Sequence, residues 1–212
     1  MRTRRRRYLP LALALALEAA RADLETGLAA VARRDWAAAL AEFRPLAERG
    51  VADAQVNLGN LYLKGWGVTQ NYGEAFRWYL KAASQGNAVG QGKLGLMHYY
   101  GLGVPEDHAE AARWFRDAGE RGEPGAAAIL GSLYAAGDGV DRDVVQAYFW
   151  YALAAELGEQ DALDQRNELA DRMSPGEIGE ALSRLAEWRE RNEPVSDQGP
   201  DPKSKAKPAG RR

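Results

Sequence analysis

His98 and His108 are the only imidazoles in the 212-residue chain, and it contains no cysteine. Disulfides, thiolate nucleophiles and thiolate metal sites are therefore excluded. Neither histidine stands in an HExxH pattern, and no serine has a plausible histidine partner. The chain holds 30 carboxylates, yet their spacing assigns no acid–base pair. Gly65-x-Gly67, Gly101-x-Gly103 and Gly137-x-Gly139 look like pieces of a phosphate loop, but no strand precedes them. The expectation is a protein that is not an enzyme, with no catalytic residue, no cofactor and no metal. His98 occupies a slot held elsewhere by Tyr62 and Tyr134, so it reads as a core-edge residue. His108 opens a helix and reads as an exposed surface residue.

The elements that carry these residues are announced by a repeat. Leu58-Gly59-Asn60-Leu61-Tyr62 returns 36 residues later as Leu94-Gly95-Leu96-Met97-His98, and again as Leu130-Gly131-Ser132-Leu133-Tyr134. The same step links Gly65, Gly101 and Gly137, then Ala75, Ala111 and Ala147, then Trp78, Trp114 and Trp150. Gly50, Gly86, Gly122 and Gly158 close each unit. A fixed period of this size means stacked units that bury a core only against their neighbours. Each unit reads as two helices. Ala54, Leu58, Leu61 and Tyr62 form one apolar face of the first, and Gly65 ends it. Asn71 with Glu74, Asp107 with Glu110 and Asp143 with Gln146 form capping boxes that start the second. In it, Ala75, Trp78, Tyr79, Ala82 and Ala83 make the stripe, with the tryptophans filling the space between units. A glycine inside a helix is disfavoured by about 1 kcal/mol against alanine. Gly59, Gly95 and Gly131 are accordingly expected to allow backbone-close packing of each helix pair.

The ends differ from the body. Residues 1–22 join a basic start, Arg2 to Arg7, to the apolar run Tyr8–Leu17 and a small-x-small Ala20-Arg21-Ala22. This is the pattern of an export signal cut between Ala22 and Asp23, and the run is too short for a permanent membrane anchor. Export to the periplasm is expected; a basic cytoplasmic helix is the alternative. Residues 23–193 carry 17 basic and 27 acidic side chains, a net of −10, which argues against nucleic acid as a partner. Residues 194–212 form a basic tail with hardly any apolar side chain, whose composition predicts disorder.

Leu-Gly-x-x-Tyr, Gly-x-Gly-Val, an acidic or amide cap, Ala-x-x-Trp and a closing glycine resemble the Sel1-like repeat, a relative of the tetratricopeptide repeat. The resemblance implies an all-α fold, a right-handed α-α solenoid. Three clear repeats are expected over about 51–158 within a solenoid spanning 23–193. A tetratricopeptide-like pair over 23–50 would precede them, and capping helices over 159–193, including Ile178 to Trp188, would follow. It further implies a non-catalytic scaffold or adaptor binding a protein or peptide, in signalling, regulation or assembly in the bacterial envelope. An envelope enzyme or inhibitor acting on cell-wall material is the alternative.

In tetratricopeptide-like stacks the first helix of each pair lines the concave side. Its free positions here hold Asn60 and Lys64, then Tyr99 and Tyr100, then Ser132. The core pattern does not require these residues, and they differ from unit to unit. Tyrosine offers broad contact area with a polar tip, and asparagine can pair with an extended peptide backbone. These five are the expected partner-binding residues.

Overall fold

The computed structural model describes residues 11–192. The basic start, the first part of the apolar run and the basic tail lie outside the described residues. Ten helices follow one another: α1 (Leu11–Ala32), α2 (Trp36–Glu48), α3 (Ala52–Lys64), α4 (Tyr72–Ser84), α5 (Ala88–Tyr99), α6 (His108–Glu120), α7 (Pro124–Ala136), α8 (Val144–Glu156), α9 (Gln160–Ala170) and α10 (Pro175–Asn192). There is no strand among the described residues. Successive helices pack as neighbours from α1 to α9, and α10 returns onto α8. The protein is an all-α helical repeat whose core is segmented along the stack, one cluster spanning α1 to α3, a second around α4 and α5, and a third from α6 to α10.

Half of each expected capping box forms. The side chains of Asn71, Asp107 and Asp143 accept from the backbone N–H of Glu74, Glu110 and Gln146 at 3.0, 2.9 and 3.0 Å. The reciprocal half is replaced by a tertiary contact. The N–H groups of Asn71, Asp107 and Asp143 donate to the carbonyls of Tyr62, His98 and Tyr134, where the loop runs back beside the first helix. With those donors satisfied, Glu74 and Glu110 pair instead with Arg77 and Arg113, at 2.8 and 3.0 Å. The full reciprocal box appears at α10. There the Ser174 N–H donates to Glu177 Oε2 at 2.7 Å and the Glu177 N–H donates to Ser174 Oγ at 3.3 Å. Those hydrogen bonds from the backbone and hydroxyl of Ser174 hold the Glu177 carboxyl below its ordinary range.

The helix glycines serve a purpose different from the expected approach of backbones. They receive an aromatic ring. Phe43, Tyr79, Phe115 and Tyr151 recur at the 36-residue step on α2, α4, α6 and α8, and each lies against a glycine of its partner helix. A Cβ built on Gly27, Gly59, Gly95 or Gly131 would come 2.4, 2.6, 2.7 or 2.7 Å from the facing ring. Phe43, Tyr79 and Phe115 are fully buried and Tyr151 nearly so. The preceding tryptophans do sit between units: Trp78 packs on the N-terminal cluster, Trp114 on the next, and Trp150 against Gly119. Only Trp150 among them is buried.

Each Gly-x-Gly loop docks on the start of the preceding unit's second helix. A Cβ on Gly67, Gly103 or Gly139 would meet Trp36, Tyr72 or His108 respectively. The middle residues of the first and third loops add contacts of different chemistry. Trp66 stacks on Trp36 with centroids 4.3 Å apart, whereas Asp138 hydrogen-bonds His108 at 2.5 Å.

Candidate binding cleft

The first helices α3 and α5 touch, and between them lies a cleft of about 430 Å³. Helical spacing explains its walls. Asn57, Asn60 and Lys64 fall three and four residues apart on one face of α3, and their repeat equivalents Lys93, Leu96 and Tyr100 do the same at α5. Leu61 and Met97 form a buried apolar floor, and Trp66 and Leu102 reach in from the loops. Tyr100, which caps the end of α5, is 62% exposed.

Three of the five expected residues, Asn60, Lys64 and Tyr100, come together in this cleft. Tyr99 lies outside it, stacked on His108 with ring centroids 4.4 Å apart and donating to Asp138 Oδ2 at 3.2 Å. Ser132 lies one unit further on, where its Oγ accepts from the Tyr151 hydroxyl at 3.1 Å. Asn60 makes the equivalent contact: its Oδ1 accepts from the Tyr79 hydroxyl at 2.8 Å. In the middle unit the ring is Phe115, which has no hydroxyl, and the matching residue is Leu96. Variation at this position therefore follows the Tyr/Phe choice 19 residues later, because a buried hydroxyl needs a partner and a phenyl ring does not. Asn57, Lys93 and Trp66 were missing from the sequence expectation. The first two stand one turn before the free positions on the same face, which is the signal that could have found them.

His98 behaves as a core-edge aromatic, half-buried with its ring edge-on to Phe76 at 5.8 Å. His108 departs from expectation, for it is half-buried and held. Nδ1 faces Asp138 Oδ1 at 2.5 Å, Nε2 faces Glu106 Oε1 at 3.2 Å, and Tyr99 covers the ring. The hydrogen bond to Asp138 pushes the His108 imidazole above its ordinary range, against the opposing effect of partial desolvation. Both ring nitrogens face carboxylates, so the group fastens the loop to the start of α6. A histidine whose folded pKa is raised adds stability that is fully present below its unfolded value of about 6.5 and is lost as pH rises through the folded pKa. Asp138→Asn should therefore lower the melting temperature more at pH 5.5 than at pH 8.5. Equal losses at the two pH values would show that the imidazole carries no proton in the clasp.

Comparison with known proteins places these features. A family model described as the Sel1 repeat matches residues 52–87, 88–123 and 124–159. The chain is similar to a Sel1 repeat protein from Oxalobacter formigenes, at 30% identity over 79% of this chain and 70% of that one, with a TM-score of 0.66. It is also similar to c5321, a protective antigen of uropathogenic Escherichia coli displaying an SLR fold, at 29% identity over 72% of this chain and 41% of that one, with a TM-score of 0.48. Its fold resembles that of Helicobacter pylori cysteine rich protein B, at 24% identity over 61% of this chain and 93% of that one, with a TM-score of 0.50. No curated protein matches the sequence.

Proposed function

Since the chain belongs to the Sel1 repeat family, we propose that it is a non-catalytic adaptor that binds a protein or peptide partner along its first helices. The observation that carries this reading is the α3–α5 cleft. It joins an apolar floor to the exposed Tyr100 and to polar side chains from two units, a combination suited to gripping an extended segment. Asn60, Lys64 and Tyr100 are its contact residues. The hydroxyls of Tyr99 and Ser132 are engaged internally, so those two contribute by holding neighbouring loops and helices in place. Replacing Lys64 and Tyr100 together by alanine should weaken capture of partners by about tenfold or more, as loss of an interface hot spot does. The circular dichroism melt should stay that of the wild type, because both side chains are exposed. A folded variant that captures the same partners at the same strength would move the site off this cleft.

The place of action proposed is the bacterial envelope, reached by export with cleavage between Ala22 and Asp23. The sequence of residues 1–22 supports it. In the described residues α1 runs unbroken across that bond, and Asp23 faces Arg49 at 3.7 Å. Cleavage would leave the rest of α1 to pair with α2. No helix among the described residues is long and apolar enough to cross a membrane. Mass spectrometry of the protein purified from its native host should find Asp23 at the N-terminus; an intact Met1-to-Ala22 segment on the cytoplasmic fraction would refute export.

A further inference from the structure

We propose that the α3–α5 cleft selects an acidic peptide segment carrying a large apolar side chain. This rests on the adaptor reading and specifies the partner's chemistry. The first argument is charge. Residues 23–193 have a net charge of −10, yet among the described residues the only charged side chains lining the cleft are Lys64 and Lys93, with no carboxylate beside them in its lining. Neither lysine enters an ion pair among the described residues. Two cations without an ion-pair partner, side by side in an otherwise acidic body, form a local field that draws carboxylates and repels other basic segments. The chain's own basic tail, with Lys203, Lys205 and Lys207, has the wrong sign to fill it.

The second argument is the sense of the remaining hydrogen bonds. Asn60 Oδ1 accepts from the Tyr79 hydroxyl, and both amide N–H groups of Asn60 are without a partner among the described residues. Asn57 Nδ2 donates one N–H to the Asp53 carbonyl at 2.8 Å, which leaves its second N–H and its Oδ1. With the two ammonium groups and the Tyr100 hydroxyl, the cleft presents more donors than acceptors. An extended backbone, with carbonyls and an N–H, satisfies that set, and flanking carboxylates satisfy the lysines. The third argument is shape. The buried Leu61 and Met97 give an apolar side chain a dry seat, and the volume of about 430 Å³ falls in the range of small-ligand sites. A second cavity of about 210 Å³ between α5 and α7 shares Lys93 and Leu96 with the first, so the path continues past Lys93. Its one carboxylate, Glu123, accepts from the N–H of Ala126 at the start of α7 and keeps its charge, so the field favouring an acidic segment is that of the α3–α5 cleft and weakens beyond Lys93.

The test uses the purified chain and a display library of random 12-residue peptides. Selected peptides should be enriched in aspartate and glutamate around one or two large apolar residues. A fluorescein-labelled octapeptide, three acidic residues on each side of a leucine–tryptophan pair, should then bind with an affinity that falls as salt rises. Lys64→Glu with Lys93→Glu should weaken it by about tenfold or more in a variant that keeps the helical circular dichroism spectrum, and a lysine-flanked version of the peptide should bind at least about tenfold less tightly. Selection of neutral or basic peptides, indifference to the double charge reversal, or stronger binding of dodecanoate or anionic vesicles than of the octapeptide would each overturn the proposal. These outcomes separate the two readings. Neutral peptides lost on replacing Lys64 and Tyr100 by alanine would retain the adaptor site and reject its acidic partner. Partners captured unchanged by that alanine variant would reject the site itself.

Discussion

Phe115→Ala is expected to destabilise the protein by about 3–5 kcal/mol, the range for emptying a fully buried aromatic site. In a chain of this size that corresponds to a fall in Tm of roughly 6–20 °C. The loss is large because Phe115 is the ring seated on Gly95, in the middle of the four-ring series that runs through the stack. The seat makes the effect specific. Gly95→Ala by itself places a methyl group 2.7 Å from the ring and should cost about 1–3 kcal/mol through overpacking. In the Phe115→Ala background that same methyl group enters vacated space, so the two changes together should cost less than their sum. Urea denaturation of the four proteins in this cycle measures the coupling. Strict additivity, or a Phe115→Ala cost under about 1 kcal/mol, would show that the ring and glycine do not form one packing unit.

Gly139→Ala should be the most damaging of the loop substitutions, at about 2–5 kcal/mol. Two effects combine there. The residue holds φ +67, a left-handed conformation that disfavours a side chain by about 1–2 kcal/mol, and an added Cβ would lie 2.3 Å from the carbonyl carbon and oxygen of His108. A flexible side chain could swing aside, but this obstacle is backbone inside α6, so the loop itself must lift. Overpacking of this kind adds about 1–3 kcal/mol. Gly158→Ala supplies the comparison, because Gly158 also has positive φ but nothing within 4 Å of its Cβ position. Lifting the loop would also part Asp138 from His108, so Gly139→Ala should lose the pH-dependent stability ascribed above to that pair. A Gly139→Ala variant no less stable than Gly158→Ala, with an unchanged pH profile, would mean that the loop does not dock through this contact.

The sequence by itself determined the repeat, the helix pairs and the starts of the second helices. These features are local. A 36-residue period, an apolar stripe at three- and four-residue spacing, and an asparagine or aspartate one residue before a helix each act within a few turns of chain, so identity and spacing suffice to read them. Only the tertiary structure decided which of two adjacent aromatics would be the inner one. Trp78 and Tyr79 both belong to the stripe, but they point about 100° apart around the helix, and the choice depends on where Gly59 of the facing helix lies. The same limit applied to the candidate site. Asn60 and Ser132 looked unconstrained because their constraint, a tyrosine hydroxyl on the partner helix, is 19 residues away across a loop. His108 looked exposed because its cover comes from Tyr99 before it and Asp138 in the next unit, 30 residues on. The glutamates of two capping boxes turned outward because a carbonyl from the preceding helix had already satisfied the backbone donor. In each case a polar or aromatic group could be satisfied by more than one kind of partner, and the chain's path through space selects among them.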